Sequence, residues 1–218
     1  MNRSEARWAI VVPVKRLAVA KTRLAELDEV RADFALAMAL DTVAAARGCP
    51  AVAHVVVVTD EPAAAEAVTS MGALVVADTP DAGLNPTLRH GALAAAATSG
   101  AAAVAALSAD LPALRPADLD GVLRAAAAHP SCIVADADET GTTLLTALDA
   151  NGFSPRFGAA SRQAHVDDGA HDLTAGAAAS LRRDVDTLDD LREAVQLGVG
   201  PATAAALRRH PLWAPTGS

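Results

Sequence analysis

Along this chain, short unbroken apolar runs alternate with longer stretches of helical spacing. Trp8 to Val14 is the first run and predicts a buried strand. Asp28 to Arg47 places Val30, Phe34, Ala37 and Met38 on one helical face, and Gly48 with Pro50 supplies the stop. Val52 to Thr59 is a second apolar run, the pattern of a strand covered on both faces in a parallel sheet. Asp60-Glu61-Pro62 opens another helix that ends near Met71-Gly72, and Ala73 to Ala77 predicts a third strand. A polar loop, Asp78 to Leu84, leads to Asn85-Pro86, which reads as an N-cap and first helical position of a helix to about Ser99-Gly100. Ala101 to Leu107 is a fourth strand. Strand and helix alternating at this spacing predict βαβ crossovers, hence a parallel sheet with helices on both faces.

The second half is less regular. Pro116 to Ala128 predicts a helix and Cys132 to Ala135 a strand. The turn Asp136 to Gly141 joins it to a strand over Thr142 to Leu148. Two strands so closely joined are antiparallel neighbours, so the sheet is expected to be mixed, though mostly parallel. Phe153 to His171 reads as a loop with a short helix, and Leu181 to Val185 as a last short strand. Thr187 then caps a helix to about Leu197, with Asp189 and Asp190 in its first turn. Gly198 and Gly200 end it, and Pro201 to Arg209 forms one more helix. No repeat of fixed period is present. The expectation is a three-layer α/β fold in a single domain over residues 1–210, with 211–218 as a frayed tail.

Composition narrows the functional classes. Half the residues are hydrophobic but only 2% are aromatic, so the core must be built from Ala, Val and Leu. A net charge of −8 argues against a nucleic-acid-binding surface, which would carry a basic stripe. Cys49 and Cys132 lie far apart with no CxxC spacing, so neither a disulfide framework nor a zinc site is indicated. The N-terminus shows no signal pattern and Trp8 to Val14 is too short to span a bilayer, which predicts a cytoplasmic protein without a membrane partner.

Against this acidic background, the loop after the first strand carries Lys15, Arg16, Lys21 and Arg23, and its two lysines are the only ones in the chain. A compact ammonium retained where arginine serves everywhere else suits a polyphosphate cradle. Such a cradle belongs at the carboxyl end of a strand, where α/β sheets bind ligands. A merely solvated basic loop gives the same pattern. Asp110 follows the charge-free fourth strand and is expected at the same sheet edge, although an Asp there also reads as an Asx cap. Asp184 and Asp186 end the expected last strand, where alternation puts both carboxylates on one face, an arrangement suited to Mg²⁺ beside substrate phosphates. A solvated strand end explains them equally. Two carboxylate clusters and a two-lysine loop on one edge are together the equipment of phosphoryl or nucleotidyl transfer. No GxGxxG, Walker lysine loop or Gly-x-Ser-x-Gly elbow is present. His165 and His171 flank Asp167-Asp168 without a standard zinc spacing and read as part of a flexible polar loop.

Several motifs in chain order add a resemblance. They are PVK at Pro13 to Lys15 with KTRL at Lys21 to Leu24, LNPTL at Leu84 to Leu88 and ADLPAL at Ala109 to Leu114. They continue with TGT at Thr140 to Thr142, PRFG at Pro155 to Gly158, DVDT at Asp184 to Thr187 and LGVGPAT at Leu197 to Thr203. Together they resemble the phosphoenolpyruvate and 2-phospho-L-lactate guanylyltransferases of deazaflavin coenzyme (factor 420) biosynthesis. The resemblance implies a nucleotide-diphospho-sugar transferase-like (Rossmann-like) domain, and GMP transfer from GTP to a phosphorylated three-carbon acid. It implies a handover of the product to the next enzyme of coenzyme assembly. Carried over to this chain, it implies Asp110, Asp184 and Asp186 as Mg²⁺ ligands and Thr142, Gly158 and Ser161 around the acid. Pro13, Val14, Lys15, Lys21 and Arg23 would line the triphosphate, with Lys15, Lys21, Arg23 and Asp110 catalytic. Asn85 reads either as the helix cap or as a ribose or base contact, and Arg156 and Arg162 would add positive charge near the acid. The glycine-rich signature of the wider superfamily is replaced here by Pro13-Val14-Lys15. A nucleotidylyltransferase for a sugar phosphate or a molybdenum pterin, or a non-catalytic nucleotide-binding domain, stays open on the residues alone.

Overall fold

The computed structural model describes residues 7–14, 30–79, 82–99 and 103–211. Its strands are β1 (Trp8–Pro13), β2 (Val52–Val58), β3 (Leu74–Val76), β4 (Ala103–Leu107), β5 (Ser131–Ala135), β6 (Thr142–Ala147) and β7 (His171–Asp172). The helices are α1 (Arg31–Gly48), α2 (Pro62–Ser70), α3 (Leu84–Ser99), α4 (Pro116–Ala126), α5 (Ser161–Asp167), α6 (Ala179–Arg182), α7 (Leu188–Leu197) and α8 (Pro201–Arg209). The strands form one sheet in the order β3-β2-β1-β4-β6-β5-β7. β1, β2, β3 and β4 run parallel, whereas β6 runs antiparallel to both β4 and β5.

The apolar runs are strands because helices cover both faces of the sheet. On one face Trp8, Ile10 and Val12 pack with Val43 of α1, Val68 of α2 and Leu119 and Leu123 of α4. On the other, Ala9 and Val11 pack with Leu88, Ala92 and Ala95 of α3. Small residues let α3 sit close. A Cβ on Gly91 would come within 2.6 Å of methyl groups on both Val11 and Val58. A third cluster joins Phe34, Ala37 and Met38 of α1 to Val185, Leu191 and Ala206, so the C-terminal helices close against α1. Cys49 and Cys132 are buried free thiols. Among the described residues no helix is long and apolar enough to cross a membrane.

One anchor of the C-terminal helices bears on the rim described below. The buried carboxylate of Asp41, in α1, accepts the backbone N–H groups of Ala202 and Thr203 at 3.0 and 2.8 Å, in the first turn of α8. It therefore acts as a remote N-terminal cap, where a negative charge is favoured. Gly200 must be glycine for this approach, since a Cβ there would sit 2.4 Å from the carboxylate. The Gly200 N–H in turn donates to Pro112 O at 2.8 Å, which ties the LGVGPAT segment to the loop that follows Asp110.

Three expectations are corrected. Leu181 to Val185 is not a strand: α6 occupies Ala179–Arg182 and residues 183–187 are irregular. The final edge position belongs instead to β7, two polar residues paired with β5 inside the stretch expected as loop. An apolar run of this length carries no unique period, and here burial of Leu181 as a core-facing residue of α6 decides its state. Finally, α3 starts at Leu84, one residue before Asn85, so Asn85 lies in the first turn and is not the cap. Thr87 N–H instead bonds to Gly83 O at 3.2 Å.

Candidate active site

The sheet topology gathers the candidate residues on one edge. β1 and β4 are parallel neighbours, so the chain leaves β1 at Val14 and leaves β4 toward Asp110 on the same side. Because β6 is antiparallel to β4, with Leu107 opposite Leu144, its first residue, Thr142, starts at that same edge. Ser108 N–H donates to Thr143 O at 2.9 Å and fastens the Asp110 loop there. Val14 is buried, with its N–H on Val58 O at 2.9 Å, and Pro13 is half-buried. Lys15, Arg16, Lys21 and Arg23 lie outside the described residues.

Asp110 is held by its neighbours' main chains. The hydroxyl of Thr42, on α1, lies 3.1 Å from Ala109 O and 3.0 Å from Met38 O, and its oxygen accepts Leu111 N–H at 3.1 Å. One side chain thus grips the backbone on both sides of Asp110. The carbonyl of Asp110 accepts Val185 N–H at 3.1 Å, and Val185 is fully buried between the half-buried Asp184 and the exposed Asp186. The DVDT segment is therefore docked on the ADLP loop, though through one main-chain bond and not by strand alternation as expected. Its other end is fixed by the capping box of α7, in which Thr187 and Asp190 exchange hydrogen bonds.

Among the described residues no three His, Cys, Asp or Glu side chains stand close enough to hold a metal ion by themselves. Asp110, Asp184 and Asp186 thus border one rim without closing a three-carboxylate cage. The donor chemistry still suits a hard divalent cation. Mg²⁺ is usually bound through one or two carboxylates, with waters and substrate phosphates supplying the other positions.

The residues expected around the acid lie beside this rim. Thr142 and Ser161 are both buried, with their hydroxyl oxygens 3.2 Å apart. Gly158 adopts φ +141°, a conformation that L side chains rarely reach, and its carbonyl accepts Ser161 N–H at 3.2 Å as the chain turns into α5. The TGT turn is held by Asp136, whose carboxylate accepts Thr140 N–H at 3.0 Å and Gly141 N–H at 2.7 Å.

Asn85 is not the helix cap, and its side chain takes a distant partner. Its amide donates to Phe157 O at 3.0 Å and accepts Phe157 N–H at 2.7 Å, pairing with both backbone groups of one residue. Arg89, on the same helix, donates to Phe153 O at 2.9 Å. Helix α3 therefore pins the PRFG loop, whose Phe157 packs on His165 of α5. The guanidinium groups expected near the acid are engaged in ion pairs. Arg156 pairs with Asp168 at 2.5 Å, and Arg162 with Glu139 at 3.0 Å and Asp172 at 2.9 Å. The Arg156 guanidinium beside Asp168 holds that carboxyl below its usual range.

Sequence reasoning missed His165. Expected in a flexible polar loop, it lies on α5 with 1% of its surface exposed, 3.0 Å from the Thr142 hydroxyl. Burial pushes its pKa down to about 4, with nearby Asp168 opposing and Arg156 adding to the shift, so the ring is neutral near pH 7. The signal available in the sequence was its spacing of four from Ser161, which puts both side chains on one helical face. His171 stands apart, stacked on His129 at 3.8 Å.

With this geometry in hand, the comparisons with known proteins agree with the motif resemblance. The chain matches a family model described as guanylyl transferase CofC like over residues 8–212. It is 53% identical over 213 residues to the phosphoenolpyruvate guanylyltransferase of Thermomonospora curvata, covering 97% of this chain and 93% of that one. It is 55% identical over 207 residues to the enzyme of the same name from Geodermatophilus obscurus, covering 92% and 94%. Among solved structures, a provisionally named nucleotide-diphospho-sugar transferase from Desulfovibrio desulfuricans G20 aligns with a TM-score of 0.70 at 19% identity. That alignment covers 94% of this chain and 95% of that one, and it shows the expected α/β fold.

Proposed function

We propose, because this chain belongs to the CofC-like guanylyl transferase family, that it moves GMP from GTP to phosphoenolpyruvate and releases pyrophosphate. The product, enolpyruvoyl-2-diphospho-5'-guanosine, feeds coenzyme F420 biosynthesis. A phosphate oxygen of the acid attacks the α-phosphorus of GTP in line; the new P–O bond forms as the bond to the β-phosphate oxygen breaks. That nucleophile is already ionised at neutral pH, so the site needs no strong general base and works mainly by positioning and charge neutralisation. The observation that carries this reading is the shared sheet edge, where Asp110, with the docked Val185 beside it, lies next to the start of β6 at Thr142.

Within that frame the residues divide the work. Thr142, Ser161 and the backbone around Gly158 hold the acid, since hydroxyl and amide donors in a buried pocket favour an anion. Lys15, Lys21 and Arg23 would line the triphosphate together with Pro13 and Val14 at the end of β1. Asp110, Asp184 and Asp186 would hold Mg²⁺, which when bound neutralises phosphate charge and aligns the two substrates. Asn85 keeps one amide hydrogen and one carbonyl lone pair for a contact to the nucleotide.

The test is a panel of acceptors (phosphoenolpyruvate, 2-phospho-L-lactate, a sugar phosphate) incubated with GTP and Mg²⁺, read by pyrophosphate release and product mass. Phosphoenolpyruvate is expected to give the highest kcat/KM. Turnover with the sugar phosphate alone would replace this reading by a sugar nucleotidyltransferase.

A further inference from the structure

We propose that His165 is a positioning residue that fixes the direction of proton donation in the Thr142–Ser161 pair, so that one hydroxyl proton is left for the acid substrate. The inference rests on the acid pocket proposed above and adds to it a residue with an assigned tautomer. Its starting point is a backbone group that cannot reverse its role. Arg156 N–H donates to His165 Nε2 at 2.8 Å, so Nε2 presents its lone pair and the proton of the neutral ring resides on Nδ1. Nδ1 lies 3.0 Å from Thr142 Oγ1 and also faces the Ser161 carbonyl, so the protonated nitrogen takes no proton from Thr142. The Thr142 and Ser161 oxygens are 3.2 Å apart and share one hydrogen bond between them.

Counting protons then gives the result. Two hydroxyls carry two protons; one lies between them, and the other has no lone pair to meet at His165. It is available to an oxygen of the acid. With the opposite tautomer the count reverses. Thr142 would donate to Nδ1, Ser161 would donate to Thr142, and no hydroxyl proton would remain, while two N–H groups would face one another at Nε2. A single imidazole thus decides whether the pocket donates to an anion or not.

The surroundings hold the ring in that state. The edge of Phe157 packs on it with centroids 5.2 Å apart and planes at 74°, and the backbone of Phe157 is the one gripped by Asn85. The LNPTL and PRFG segments therefore converge on orienting His165.

The experiment has two parts on the full chain. Side-chain ¹⁵N NMR of histidine-labelled wild type is expected to show His165 protonated at Nδ1 and bare at Nε2 at pH 7. Steady-state kinetics of His165→Phe is expected to raise KM for phosphoenolpyruvate about tenfold or more, the loss of one buried hydrogen bond, with KM for GTP within about twofold. His165→Asn can place an amide N–H near the Nδ1 position and is expected to recover most of that loss, which a purely structural role would not predict. A proton on Nε2, an unchanged acid KM in His165→Phe, or equal shifts in both KM values would overturn the inference while leaving the wild-type activity intact. Absence of turnover in wild type would instead remove the functional reading on which it stands.

Discussion

The backbone N–H of Val185 reaches the carbonyl of Asp110 across 3.1 Å, joining two acidic segments that lie 75 residues apart in the chain. Val185 is buried and its two carboxylate neighbours are half-buried and exposed, so this one bond sets where Asp184 and Asp186 stand relative to Asp110. The three acids are a unit by docking. Asp110→Asn, Asp184→Asn and Asp186→Asn keep size and hydrogen-bonding capacity but remove the charge. Each is expected to lower kcat/KM by roughly 100-fold or more, with thermal midpoints near wild type. Pyrophosphate release and a melting curve on the same samples check this.

Thr42 makes no contact with the substrates in this account, yet it grips both sides of Asp110. Thr42→Val leaves the buried Leu111 N–H without its acceptor, which costs about 1–3 kcal/mol. The expected drop in midpoint is roughly 2–4 °C per kcal/mol for a chain of this size. Activity should fall further than stability alone explains, because the Asp110 loop loses its clamp. Activity assayed well below the unfolding range separates the two effects.

Asn85 distinguishes a loop-pinning residue from a base-reading one. If its main role is to hold Phe157, Asn85→Ala raises KM for the acid by about tenfold while KM for GTP changes little. The reverse pattern would return Asn85 to the nucleotide.

Burial of His165 makes stability depend on pH with a definite sign. The folded ring titrates at about 4 and the unfolded one near 6.5, so between these values the unfolded chain binds the extra proton. The stabilising contribution is complete above about pH 6.5 and is lost progressively as pH falls toward 4, by up to roughly 3 kcal/mol. Asp168 and Arg156, the charged groups beside the ring, stay ionised over most of this window. Denaturant unfolding of wild type and His165→Asn should converge as pH drops from 7 to 4.5. Parallel curves would show that the ring is not held neutral.

How far the sequence carried these conclusions depended on the kind of signal. Trp8 to Val14 and Val52 to Thr59 announce themselves because strands covered on both faces need unbroken apolar runs, and these runs fixed the parallel half of the sheet. The place of Asp110 at the sheet edge was legible for a related reason: a lone acid after a charge-free strand stands out. Leu181 to Val185 misled because five residues carry no period, and tertiary burial made its first half a helix. Asn85 was read through local capping rules, whereas its partner, Phe157, lies 72 residues away. His165 escaped because its role depends on one distant hydroxyl and one backbone N–H, neither of which leaves a local mark.

Transfer of GMP to the phosphate of a three-carbon acid can be watched atom by atom in ³¹P NMR of the wild-type chain with GTP, Mg²⁺ and phosphoenolpyruvate. The nucleotide triphosphate signals should give way to pyrophosphate and to a coupled pair of diphosphate resonances from an acid joined to guanosine. A spectrum in which GTP and the acid persist unchanged, from protein that melts cooperatively, would contradict it.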